Sequence, residues 1–274
     1  MNPRTFSHFS ILAVACLTIA AASTVQANLV AIERDTGNLF EVSTTDASLT
    51  LIGNTGVAAL GALDYANDGY LYGLTTGLSA ALYRIDPADA SSTLVGLVGA
   101  YMFEGGLAIT PEGFAYAVNG GDTGDARIFT IDLATGAGTE VGPLGDRRDV
   151  DGLGLRDDGM LIGLDRVNNE LITINPVTRS TAAIASVEPI IGMIGGMALG
   201  EGYAYFSTAG PGSFAPGSNE LYEFDPYTGT HTLIGNFNAT VIGEGISGIA
   251  VIPEPASMAL LVLGGLSLLR RRKK

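Results

Sequence analysis

Leu82-Tyr83-Arg84-Ile85-Asp86 returns as Ile128-Phe129-Thr130-Ile131-Asp132, as Leu171-Ile172-Thr173-Ile174-Asn175 and as Leu221-Tyr222-Glu223-Phe224-Asp225, with a shorter form at Leu39-Phe40-Glu41-Val42. The starts lie 43, 46, 43 and 50 residues apart. A second phrase precedes it in register: Gly61-Ala62-Leu63 leads to Asp68-Gly69, and Gly106-Leu107-Ala108 to Glu112-Gly113. Gly152-Leu153-Gly154 leads to Asp158-Gly159, and Gly196-Met197-Ala198 to Glu201-Gly202. Side chains in the first phrase alternate with period two, the mark of a strand, and self-similarity at a fixed spacing marks a repeat architecture.

One unit reads as four strands. In the third, strand A is Gly106 to Thr110, strand B Phe114 to Asn119, strand C Arg127 to Asp132 and strand D Gly138 to Gly142. Four short antiparallel strands repeated radially predict an all-β, five-bladed β-propeller. No window holds a 3.6-residue apolar period for three turns, which excludes a helical solenoid. Residues 28–53 supply strands B, C and D but no A. The missing strand stands at the far end as Gly248-Ile249-Ala250-Val251-Ile252. The C-terminal strand is therefore expected to complete the first blade and close the ring, which would remove exposed sheet edges. An open β-sandwich or β-solenoid is the alternative arrangement of the same strands.

Composition agrees. Of 274 residues 47% are hydrophobic, 15% charged and 38 are glycine, which suits strands and tight turns and excludes a disordered chain. Residues 28–252 hold eight arginines, no lysine and 27 acidic residues, a net charge of −19. Nucleic-acid binding needs a basic footprint and is excluded; adhesion to anionic lipid is equally disfavoured.

The two ends read as addresses. Arg4, the apolar run Ile11 to Ala22 and the small residues of Val25-Gln26-Ala27 make residues 1–27 a signal peptide. Leu12-Ala13-Val14-Ala15-Cys16 is a poor lipoprotein site, because Ala13 replaces a larger aliphatic residue. Cleavage after Ala27 removes Cys16, the single cysteine, and with it disulfide and thiol chemistry. At the other end Pro253-Glu254-Pro255 is followed by the apolar Met258 to Leu269 and by Arg270-Arg271-Arg272-Lys273-Lys274. The apolar run is expected to be a short transmembrane helix whose cations stay cytoplasmic, leaving residues 28–252 outside.

This ending resembles the PEP-CTERM sorting signal of Gram-negative bacteria, over residues 253–274. The resemblance implies an exosortase-type processing enzyme as partner, cutting near Pro253, Glu254 and Pro255 after a membrane-anchored intermediate at the inner membrane. It also implies a final place at the cell surface or outside the cell, and an association with exopolysaccharide or biofilm.

Chemistry is fainter. The Asp-Gly and Glu-Gly pairs read as A–B turns. Asp86-Pro87, Asp132-Leu133, Asn175-Pro176 and Asp225-Pro226 open C–D turns, where Asp or Asn bonds nearby backbone. On the opposite face the polar residues do not repeat. Glu104, Asp149, Asp151 and Glu244 precede strand A, while Glu33, Thr75, Asn119, Asp165 and Thr208 end strand B. Glu33, Glu104, Asn119, Asp151, Asp165 and Glu244 are expected around a channel mouth. There they could hold a hard cation such as calcium through oxygen, or be neutralised by Arg34, Arg127, Arg147, Arg148 and Arg166. Two functions follow: a binding or scaffolding surface protein, or a metal-assisted hydrolase or lactonase on the same fold. No catalytic triad or zinc spacing is present, and the mature chain's one histidine, His231, lies on the C–D side.

Overall fold

The structure is a computed structural model that describes residues 28–103, 105–120, 124–187, 193–200, 202–209, 219–237 and 245–253. Among the described residues twenty strands form five four-stranded antiparallel sheets. Blade 2 holds β4 (Leu60–Tyr65), β5 (Leu71–Thr75), β6 (Ala81–Ile85) and β7 (Ser92–Leu97). Blade 3 holds β8 (Gly105–Ile109), β9 (Ala115–Asn119), β10 (Arg127–Ile131) and β11 (Gly138–Pro143). Blade 4 runs β12 (Val150–Leu155), β13 (Leu161–Asp165), β14 (Glu170–Ile174) and β15 (Thr181–Ser186). Blade 5 runs β16 (Met193–Gly200), β17 (Tyr203–Ala209), β18 (Glu220–Phe224) and β19 (His231–Asn236).

Blade 1 is assembled from both ends of the domain. Its order is β20 (Ile246–Ile252), β1 (Asn28–Glu33), β2 (Asn38–Val42) and β3 (Leu49–Asn54). Asn28 faces Ile252, Leu29 faces Val251 and Val30 faces Ala250. The ring is a closed propeller, and the C-terminal strand closes it as the sequence predicts.

The apolar residues sit between blades. Alternate residues of one strand serve two cores: Leu29 and Ala31 pack toward blade 5, while Val30 and Ile32 pack toward blade 2. The two inner strands of a blade are thus largely buried on both faces, while the third shows one exposed side chain in four blades, at Glu41, Arg84, Thr130 and Glu223. The outermost strand is the wettest, as in the repeated exposure pattern of Leu49–Asn54 and His231–Asn236.

Small residues of the inner strands, glycine in four blades, lie at the axis. Register places Ala62, Gly106, Gly152, Gly196 and Gly248 at one level of the five inner strands, each followed by a large residue: Leu63, Leu107, Leu153, Met197 or Ile249. A Cβ on Gly196 would come within 2.6 Å of the Ile249 backbone nitrogen. The inner strands approach so closely that no water-sized space is left between them. The open channel assumed from the sequence is filled by backbone at this level.

A second ring of contacts holds the periphery. The C–D turn of each blade docks on the outer strand of the blade before it. Gly53 faces Asp89 and Ala90, Gly96 faces Thr135 and Gly136, and Gly142 faces Arg179. Gly229 faces Ala185, and Gly235 faces Asp46 and Ala47. Each turn passes through a left-handed residue, at Ala47, Ala90, Gly136, Arg179 and Gly229, closed by a backbone bond such as Ala90 N–H to Asp86 O. The Asp or Asn opening the turn accepts a backbone N–H, at 2.9 Å from Ala88 to Asp86 and 2.8 Å from Tyr227 to Asp225.

Candidate functional site

The rim residues have a shared task despite their different identities. At the end of strand B the side chain accepts a backbone N–H across the connection, from the start of strand C in three blades. Thr75 Oγ1 takes the Ala81 N–H at 2.9 Å, Asn119 Oδ1 that of Arg127 at 2.8 Å, and Thr208 Oγ1 that of Glu220 at 3.0 Å. Asp165 Oδ1 takes the Asn168 N–H at 3.1 Å. Glu33 Oε2 is folded into its own turn, accepting from Thr36 Oγ1 and from Asn38 Nδ2.

Charge is concentrated at blade 4. Arg147 Nη1 lies 2.5 Å from Asp165 Oδ2 and 3.0 Å from Glu170 Oε2, and Arg166 Nε lies 2.8 Å from Asp149 Oδ2. Arg166 Nη1 stands 3.9 Å from Asp151 Oδ2. Desolvation acts to lower the Arg147 pKa, but hydrogen bonds and charge from Asp165 and Glu170 outweigh it and the pKa is raised. Asp151 and Asp165 are therefore brought together with two arginines, whereas Glu33 and Asn119 serve other blades. Glu104 and Glu244 lie outside the described residues. Among the described residues no group of three or more His, Cys, Asp or Glu side chains is placed to hold a metal ion. His231 starts β19 and packs edge-on against Phe206 and Tyr222, with ring centroids 6.0 Å away in each case.

The opposite face holds the better-formed cavity. The ends of all five inner strands surround an axial depression of about 130 Å³, bordered by Asp64, Ile109, Leu155, Leu199, Val251 and Pro253. At the level of Asp64 the other blades carry Ala108, Gly154, Ala198 and Ala250, so one carboxylate interrupts a ring of small residues. Asp64 Oδ2 accepts the Ile109 N–H at 2.6 Å and Oδ1 the Tyr65 N–H at 2.8 Å. Desolvation dominates over these bonds and pushes its pKa up to about 7. The signal that could have found Asp64 is this break in the repeat.

Asn67 Nδ2 donates to Pro111 O at 2.9 Å, and this bridge separates the depression from a trough of about 740 Å³ between blades 2 and 3. Asp68, Tyr72, Arg84, Thr93, Leu94 and Glu112 are among its lining. Tyr72 donates to Asp68 Oδ2 at 2.8 Å, and desolvation with the Asp68 bond pushes its pKa up to about 12. The Arg84 guanidinium stands 4.3 Å from the Tyr70 ring centroid. A trough with charged and hydroxyl donors and acceptors along it and an apolar side at Leu94, Val95 and Leu133 can hold an extended polyhydroxyl chain.

The last described residue, Pro253, borders the depression and opens the triplet read as a sorting signal. Residues 251–273 match the family described as a PEP-CTERM protein-sorting motif. The chain carries a PEP-CTERM motif. Such a motif implies an exported protein with a membrane-anchored intermediate in Gram-negative bacteria, processed by an exosortase. The PEP-CTERM match begins inside β20, at Val251 and Ile252, so the sorting motif continues the closing strand with no linker. Its apolar run lies outside the described residues; among those described, no helix is long and apolar enough to cross a membrane. No curated protein matches the chain. Among solved structures, a chain in the crystal structure of a nidogen/laminin complex is similar, with a TM-score of 0.55 and 12% identity. The alignment covers 82% of this chain and 98% of that one, and at this identity the likeness is one of fold.

Proposed function

We propose that the protein is a surface or extracellular-matrix component that acts as a binding and scaffolding propeller in an exopolysaccharide or biofilm setting. The observation that carries this reading is the trough between blades 2 and 3, on a domain whose ending is a sorting motif. A domain with a net charge of −19 repels polyanions, so the ligand is a neutral or amino-bearing polysaccharide. The test is calorimetry of the exported protein with neutral, amino-bearing and acidic oligosaccharides, alongside the double variant Arg84→Ala/Glu112→Ala. The expected result is binding of the first two classes, weakened about tenfold in the variant, which is about 1.4 kcal/mol. Unaltered binding by the variant removes the trough from the reading.

The metal-assisted hydrolase or lactonase reading keeps one point of support. Asp149 Oδ1 is buried with no hydrogen-bond partner among the described residues, close to Asp151 and Arg166. Calcium titration decides it: heat of binding that disappears in Asp149→Asn supports the metal, and no heat up to millimolar calcium removes it.

A further inference from the structure

Asn28, the residue that follows the signal peptide, is the register partner of Ile252, the residue that precedes the sorting triplet. Blade 1 has no A–B hairpin; the two strand ends stand in its place, on the face that carries the A–B and C–D turns. Both processing points therefore leave the wheel side by side. Pro253 does so at the edge of the axial depression, so the exit lies near the axis.

Chain length then fixes how far this face can stand from lipid. Only residues 253–257 separate Ile252 from the apolar run that begins at Met258. Five extended residues reach at most about 17 Å. The strands are five to eight residues long, which puts the opposite face about 20 Å further away. A chain leaving from near the axis cannot tip the wheel over without passing around it, and so short a tether does not reach. An uncut signal peptide, attached at Asn28, holds the same face.

Resting on the reading that Met258 to Leu269 enters the membrane, we infer that the face with the Asp64 depression and the trough is turned toward the lipid headgroups in the uncut protein. The sorting cut then opens both cavities to bulk solvent. The exposed turn residues Asp68, Asp89, Glu112, Asp132, Asp158 and Asp225 lie on this face, so it is held near anionic headgroups by the tether and against repulsion. Cutting the tether ejects the domain rather than leaving it adsorbed, and ligand binding follows release.

Cys16 is the chain's single cysteine, which makes a clean test available. The full chain carrying Cys16→Ser is made with either Glu112→Cys on the turn face or Arg148→Cys on the other; both positions are exposed. Each is labelled with a thiol fluorophore and reconstituted in phosphatidylcholine vesicles containing a headgroup spin-label lipid. Quenching is expected to be about threefold or more stronger at position 112 than at 148, given the separation of about 20 Å. Equal quenching, or stronger quenching at 148, in a chain that floats with the vesicles overturns the orientation and leaves membrane anchoring intact. A chain that does not float with the vesicles overturns the anchoring reading and this inference with it.

Discussion

Gly106 sits where a methyl group has no place: its Cβ would lie 2.3 Å from the Leu153 nitrogen and 2.4 Å from the Gly152 carbonyl carbon. Those neighbours are backbone of the next inner strand, so relief requires the strands to part. Gly106→Ala is expected to lower stability by about 3 kcal/mol, the upper end for overpacking, read as a drop in melting temperature. An unchanged melt would mean that the axis is looser than described. Asp64 makes a different prediction at the same scale. Its folded pKa is raised to about 7 from 3.8. The sign follows from linkage: its contribution is fully present below about pH 4 and is lost as pH rises through 7. The loss is at most about 4 kcal/mol, and smaller in proportion to the water that reaches the depression. Asp64→Asn keeps an acceptor for Ile109 and removes the charge. The variant should therefore be the more stable protein at pH 8, and the difference should vanish at pH 4.

At the scale of the element, β13 ends in Asp165, which is 1% exposed and bonded to Arg147 and to the turn at Asn168. Arg147→Ala leaves that carboxylate buried and short of its cation, with an expected cost of about 3 kcal/mol in urea unfolding. A parallel loss in Glu170→Ala should be below about 1 kcal/mol, because Glu170 is partly solvated. The contrast shows what a sequence can and cannot disclose about such elements. Strand positions and the number of blades were legible, because alternation and spacing are local and recur five times. Four C–D turns were legible from the Asp or Asn that opens them, at Asp86, Asp132, Asn175 and Asp225; the left-handed residue within the turn was legible as glycine at Gly136 and Gly229, and hidden at Ala47, Ala90 and Arg179, which adopt the same backbone. The rim residues looked like converging ligands because their identities differ. In three dimensions Thr75, Asn119, Asp165 and Thr208 share one job, accepting a backbone N–H from the start of strand C or, for Asp165, from the turn before it. The depression and trough escaped notice because each is built from residues of several blades, and nothing in one repeat announces its neighbour.

For the molecule as a whole, closure is made at two radii: β20 pairs with β1 inside, and Gly235 meets the Asp46–Ala47 turn outside. Ser247 Oγ adds a 2.5 Å bond to Leu60 O, tying the closing strand to blade 2. Removing residues 246–274 should leave β1 as an open edge and five inner strands reduced to four. The expected product self-associates in light scattering and unfolds without a cooperative transition; a monomer with an unaltered melt would contradict the role given to β20. The register of Asn28 against Ile252 has another consequence. A loop of a few residues would join them as an ordinary hairpin, and the backbone could then be opened at Asp158-Gly159, which is an exposed turn of the same kind. The fold does not depend on where the backbone is opened, and a circularly permuted version of residues 28–252 should fold to the same propeller.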